Sequence, residues 1–113
     1  MSSYDLKDVE EMADGDQDFI LVVVKTFLEE IPPDVTAMNE AIDSDNAKLA
    51  YSYAHKMKPN LKLFGLELMP QITIIEQWSK QGKNKAEVPG AGKTITVKVE
   101  QVCKELKEDF NLE

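Results

Sequence analysis

DQDFILVVVKTFLEEIPPDVTAMNEAID, residues 16–43, decides the fold class of this chain. Its apolar residues Ile20, Val23, Phe27, Ile31, Val35, Met38 and Ile42 recur in steps of three and four, which places them on one face of an α-helix for about six turns. A half-buried strand would alternate every second residue, and this stretch does not. Asp16, just after Gly15, suits an N-cap, and Asp18 puts negative charge in the first turn, where the helix dipole favours it. Pro32 and Pro33 remove two backbone donors in mid-stripe, which predicts a kink or a break. The apolar register continues past them, so one long helix or two in line would face the same core.

On the N-terminal side, Leu6, Val9 and Met12 form the apolar face of a short helix. On the C-terminal side, residues 43–45 read as a turn, with Ser44 or Asp45 capping the next helix. That helix carries Ala47, Ala50, Ala54, Met57, Leu61 and Phe64 as a regular bundle seam, and Gly65 ends it. Leu68, Ile72, Ile75 and Trp78 mark a further helix, with Pro70 early enough to be tolerated in its first turn. Residues 80–93, KQGKNKAEVPGAGK, are polar and glycine-rich and read as a long mobile connection. Beyond them, Ile95, Val97 and Val99 alternate like a strand, while Ile95, Val99, Val102, Leu106 and Phe110 make a helical stripe. A lone strand would leave its backbone unpaired and a helix pairs its own, so a helix over about residues 94–110 is expected. The whole is expected to be a single all-α domain over residues 1–113, an antiparallel four-helix bundle with a short extra N-terminal helix. Its core would occupy about residues 4–79, before the connection and the closing helix.

Bulk properties narrow the function. With 42% hydrophobic and 30% charged residues the chain has the composition of an ordinary globular domain. No apolar run approaches the roughly 20 residues a spanning helix needs, and no secretory leader is visible, so a cytoplasmic protein without membrane association is expected. A net charge of −8, without a single arginine, argues against nucleic acid as a partner. The single cysteine, Cys103, falls on the stripe of the closing helix and reads as a small core residue.

The chemistry centres on the only histidine. At about 100° per residue, His55 points roughly 130° away from the mean direction of its helix's apolar seam, and so faces solvent. Lys48, Ser52, Pro59 and Lys62 share that face, Lys58 lies one turn on, and Lys56 is adjacent in sequence. Between Asp45 and Glu67 this acidic chain has no carboxylate, so a local positive patch surrounds the imidazole. An exposed imidazole among ammonium groups is suited to accept a phosphoryl group, the lysines offsetting the charge on the moving oxygens. A solvated surface histidine without a chemical role has the same geometry. One His, one Cys and a ring of lysines make a poor metal site, and no nucleophile motif points to a hydrolytic triad.

The stretch YAHKMKPNLKLFG, residues 53–65, resembles the phosphoacceptor motif of histidine-phosphotransfer (HPt) domains. In that motif a small residue precedes the histidine, an apolar residue and a lysine stand two and three positions after it, and a glycine ends the helix ten positions after it. These are Ala54, His55, Met57, Lys58 and Gly65. Residues 13–35, ADGDQDFILVVVKTFLEEIPPDV, resemble the family's second helix, and the likeness covers about residues 6–79. It implies a phosphocarrier that accepts a phosphoryl group on His55 from the receiver domain of a hybrid sensor kinase and passes it to the receiver of a response regulator. It further implies a protein without cofactor or ATP-dependent kinase activity, any Mg²⁺ belonging to the receiver; a monomer is expected, though the sequence itself does not say whether the domain pairs with itself. Lys58 would face the phosphoryl group, with Lys56 and Lys62 assisting encounter and Ser52 and Pro59 on the docking face. The chain departs from the motif at Pro59, where many members have glycine. Proline removes the helical donor to the His55 carbonyl, which predicts a local bend below His55 and opens the alternative of a non-transferring adaptor of the same fold.

PGAGKT, residues 89–94, is not a nucleotide-binding loop. The position where that motif requires its first glycine holds Glu87, whose carboxylate would repel phosphate. The acidic residues around Glu10 and Asp109 read as solvated helix faces.

Overall fold

A computed structural model describes residues 2–112, and all regular structure among them is helical. Helix α1 spans Lys7–Ala13, α2 Gln17–Asp43, α3 Ala47–Leu63, α4 Met69–Gln81 and α5 Val88–Asp109, with a single 3₁₀ turn, Lys85–Glu87, leading into α5. Each of α2 to α5 packs on two others, α2 on α3, α3 on α4, α4 on α5 and α5 back on α2, while α1 lies against α2. Short turns at residues 44–46 and 64–68 force consecutive helices to run antiparallel. At 1.5 Å per residue, the 27 residues of α2 account for most of the molecule's 45 Å long dimension. No helix among the described residues is long and apolar enough to cross a membrane.

The stripe of α2 buries Ile20, Val24, Phe27, Ile31, Val35, Met38 and Ala41, leaving Val23 and Ile42 half-buried at its margins. The expected N-cap is in place, since the Asp16 carboxylate accepts from the backbone N–H groups of Asp18 and Phe19 at 3.0 and 3.2 Å. Pro32 and Pro33 do not break the helix, which runs as one element through both. Packing of Ile31, Asp34 and Val35 on either side of the pair holds its two halves in one register. In α1 the buried residues are Val9 and Ala13; Met12, expected on the apolar face, is exposed.

The cap of α3 is neither Ser44 nor Asp45 but Asn46, whose side chain accepts from the Leu49 N–H at 3.1 Å. Gly65 terminates α3 at φ +70°, with Gly65 N–H donating to the Lys62 carbonyl and Leu66 N–H to the Leu61 carbonyl, a Schellman closure. A side chain at Gly65 would also collide with Asp5, whose N–H donates to the Phe64 carbonyl at 2.8 Å.

The connection is shorter than the expected residues 80–93, because α5 begins at Val88, with Pro89 in its first turn. Val88, Ala91 and Gly92 are buried. A Cβ at Gly92 would stand 2.9 Å from Asn39 Oδ1 and from Ile42 Cδ1, so the glycine permits close approach of α5 to α2. Of the two glycines of PGAGK, Gly92 thus belongs to a helix-packing surface, while Gly90 is exposed with nothing near it.

An N-terminal strap ties the bundle together. The backbone N–H and hydroxyl of Ser3 donate to the two oxygens of Glu105 at 2.6 and 2.7 Å, and the Tyr4 hydroxyl donates to Asp109. The hydroxyl and backbone bonds from Ser3, assisted by Gln101, hold the Glu105 carboxyl down to about 2. A carboxyl depressed in the folded state contributes stability above its unfolded pKa, and that contribution is lost as pH falls from about 4.5 toward about 2. Glu105→Gln should therefore lie below wild type in urea midpoint at pH 6, with the gap closing toward pH 2.5. A gap that stays constant with pH would mean that the carboxylate's charge has no part in the strap.

Candidate functional site

His55 stands in the middle of α3 between Ala54 and Met57, both fully buried, and the helical period turns its ring to solvent. One turn toward the N-terminus, Tyr51 meets it edge-to-face, with ring centroids 5.7 Å apart and planes inclined by 67°. Helical side chains lean toward the N-terminus, which brings residues four apart into this contact.

Tyr51 is fixed in turn from α4. Its hydroxyl donates to Glu76 Oε2 at 2.7 Å, and Lys80 Nζ reaches the same oxygen at 3.4 Å while standing 5.4 Å from the centre of the Tyr51 ring. The phenol bond holds the Glu76 carboxyl below the ordinary carboxylate range, helped by the bond from Lys80 and by the fields of Lys80 and Lys58. The same bond, with burial, raises the Tyr51 hydroxyl. Lys58 is half-buried and close enough for its charge to bear on Glu76, on the α4 side of the site.

Lys56 lies on the opposite flank, its Nζ 3.1 Å from Asp34 Oδ1 on α2. Asp34 is the one buried charged side chain among the described residues, 7% exposed in the midst of the α2 stripe. A carboxylate there requires a cation, and Lys56 supplies it while its own side chain stays 64% exposed. Lys56 is thus directed to α2 and does not stand free beside the imidazole. Ser52, Pro59 and Lys62 are exposed along with His55, but the Ser52 hydroxyl donates to the Leu49 carbonyl at 2.7 Å, turned back onto its own helix. Helix α3 continues through Pro59, which offers no N–H to the His55 carbonyl.

The patch is therefore an exposed imidazole braced by an aromatic ring, with a half-buried lysine toward α4, an ion pair toward α2 and, two turns on, Lys62, exposed and without an ion-pair partner among the described residues. Sequence reasoning named His55 and the lysines but missed Tyr51, Glu76, Lys80 and Asp34. The four-residue spacings of Tyr51 to His55 and of Glu76 to Lys80 were readable, as was an acid at a core position of α2; the meeting of α3 with α4 was not.

Elsewhere, a cleft of about 340 Å³ opens between α2 and α5, and no residue of α3 lines it. Cys103, at its wall, is half-buried, and burial pushes its thiol pKa up, away from nucleophilic reactivity. Among the described residues no group of three or more His, Cys, Asp or Glu side chains could hold a metal ion. Compared with models of protein families, with curated proteins and with solved structures, the chain matches none.

Proposed function

We propose that this protein is a histidine phosphocarrier: His55 accepts a phosphoryl group from a receiver-domain phosphoaspartate and passes it to a second receiver. The observation that carries the reading is an exposed imidazole at mid-helix on the wall of a helical bundle, where another protein can reach it, with Lys58 and Lys62 on the same wall. An unprotonated ring nitrogen attacks phosphorus in line, the N–P bond forming as the bond to the aspartate oxygen breaks and the carboxylate leaves with the electron pair. The remaining ring proton is released, and transfer to the second receiver runs the same steps in reverse. Lys58 and Lys62 offset charge on the equatorial oxygens, with Lys56 held at the edge of the patch by Asp34. Any Mg²⁺ acts in the receiver, and the partners are the receiver domains of a hybrid sensor kinase and of a response regulator.

A second reading, a non-transferring adaptor of the same fold, is favoured by Pro59, which stands one turn beyond His55 on the surface that a receiver would approach. One experiment separates the two. Several receivers charged with radiolabelled phosphate are mixed with this protein, with wild type expected to take up label that is stable to alkali and lost in acid. His55→Gln, an exposed substitution that leaves the core intact, should take up none. Binding without label transfer from any receiver would establish the adaptor instead.

A further inference from the structure

We infer that Tyr51 is a positioning residue for His55, held in place from α4 by Glu76 and Lys80; the inference rests on the phosphocarrier reading and extends it to how the imidazole is aimed. An exposed histidine on a helix has more than one χ1 rotamer, and its χ2 is broad. In-line attack uses one orientation, so a ring that is already aimed avoids part of the ordering that docking would otherwise impose. The aiming contact is the edge-to-face meeting of the two rings at 5.7 Å.

A surface tyrosine would ordinarily be as mobile as its neighbour and could not aim it. Here its two ends are constrained: the hydroxyl by Glu76 at 2.7 Å, the ring face by the Lys80 ammonium at 5.4 Å. Glu76 and Lys80 are themselves paired at 3.4 Å, one turn apart on α4. The brace therefore runs from the backbone of α4 through two side chains to Tyr51, and ends on the ring of His55. It also separates the residues near the imidazole by role, with Tyr51 acting on orientation and the lysines on charge.

The test reads the imidazole directly, by NMR of its ring protons and χ1 couplings in the full chain, and then by label transfer. In wild type the His55 ring protons should show displacement by the Tyr51 ring current and couplings of one dominant rotamer. Tyr51→Leu should return the shifts toward those of a free histidine, average the couplings, and slow label uptake from a charged receiver by roughly twofold to tenfold. Glu76→Ala, which leaves both rings present, should move the shifts part of the way, and Glu76→Gln, whose amide oxygen can still accept from the phenol, should restore them. His55 shifts and couplings that are the same in wild type, Tyr51→Leu and Glu76→Ala would overturn the inference. Absence of transfer in wild type would instead sink the phosphocarrier reading, while the NMR comparison would still decide whether Tyr51 aims the ring.

Discussion

Phe64→Ala is expected to destabilise the protein by about 3–5 kcal/mol and to lower its melting temperature by about 15 °C or more. Phe64 is fully buried and meets Phe27 of α2 with ring centroids 4.3 Å apart and planes tilted by 34°. It also sits at the C-cap of α3, between Leu61 and Leu66, whose backbone bond closes the helix, and its carbonyl receives Asp5 from the N-terminal strap. Truncation removes apolar surface from the core and leaves a cavity that α2, α3 and the strap cannot jointly collapse, since each is fixed elsewhere. Urea denaturation measures the loss. A double-mutant cycle with Phe27→Ala should show a coupling of about 0.5–1.5 kcal/mol, the range for an aromatic pair. A loss under about 1 kcal/mol for the single variant would show that these helices do not share this core.

Much of the fold was legible because burial and helical period agree along α2 and α3. Ala50, Ala54, Met57, Leu61 and Phe64 are all buried where the seam placed them. The helical choice for the closing segment also holds, because Ile95, Val99, Val102 and Leu106 are buried together while Val97, which fits only the alternating pattern, is 56% exposed. The misreadings have local causes. Ser44 and Asp45 have the composition of a cap, but Asp45 adopts φ +57° to close α2, its N–H donating to the Ile42 carbonyl and that of Asn46 to the Ala41 carbonyl. That closure moves the cap of α3 one residue on. Glycines in residues 80–93 suggested a loop throughout, yet only Gly82 is a terminator, at φ +66°, while Gly92 lies inside α5 against Asn39 and Ile42. Composition does not distinguish a glycine that ends a helix from one that lets two helices meet.

The site divides in the same way. Exposure of His55 follows from the register of α3 alone, so it could be read without knowing what packs beside it. Tyr51 reads in sequence as another residue at the seam's edge, because its partners Glu76 and Lys80 come from α4 and the register between two helices is set by side-chain packing, not by either helix's own period. Asp34 carried a clearer signal. A carboxylate three residues after Ile31 and four before Met38 lies on the buried face, and such a group needs a cation from a neighbouring helix.

Pro59→Ala bears on both stability and the site. A proline in a helix interior costs about 3 kcal/mol relative to alanine, since it removes a backbone bond and its ring crowds the carbonyl four residues back. Part of that cost is offset because proline also restricts the unfolded chain, by about 0.4–1 kcal/mol. Pro59 is exposed, so its ring contributes little packing that alanine would forfeit. Pro59→Ala should therefore stabilise the protein by about 2–2.6 kcal/mol, raising its melting temperature by at least about 5 °C. The carbonyl that gains a donor is that of His55, so the effect should be concentrated there: in the variant, the amide newly present at position 59 should be protected from exchange and its neighbours in α3 should slow, with α5 unchanged. If the melting temperature is unchanged or falls, α3 has already accommodated Pro59 without cost, and the missing donor is no source of strain beneath the imidazole. If it rises while label transfer to His55 slows, the loosened carbonyl is part of how the ring is presented, and Pro59 is suited to the site despite its cost to the helix.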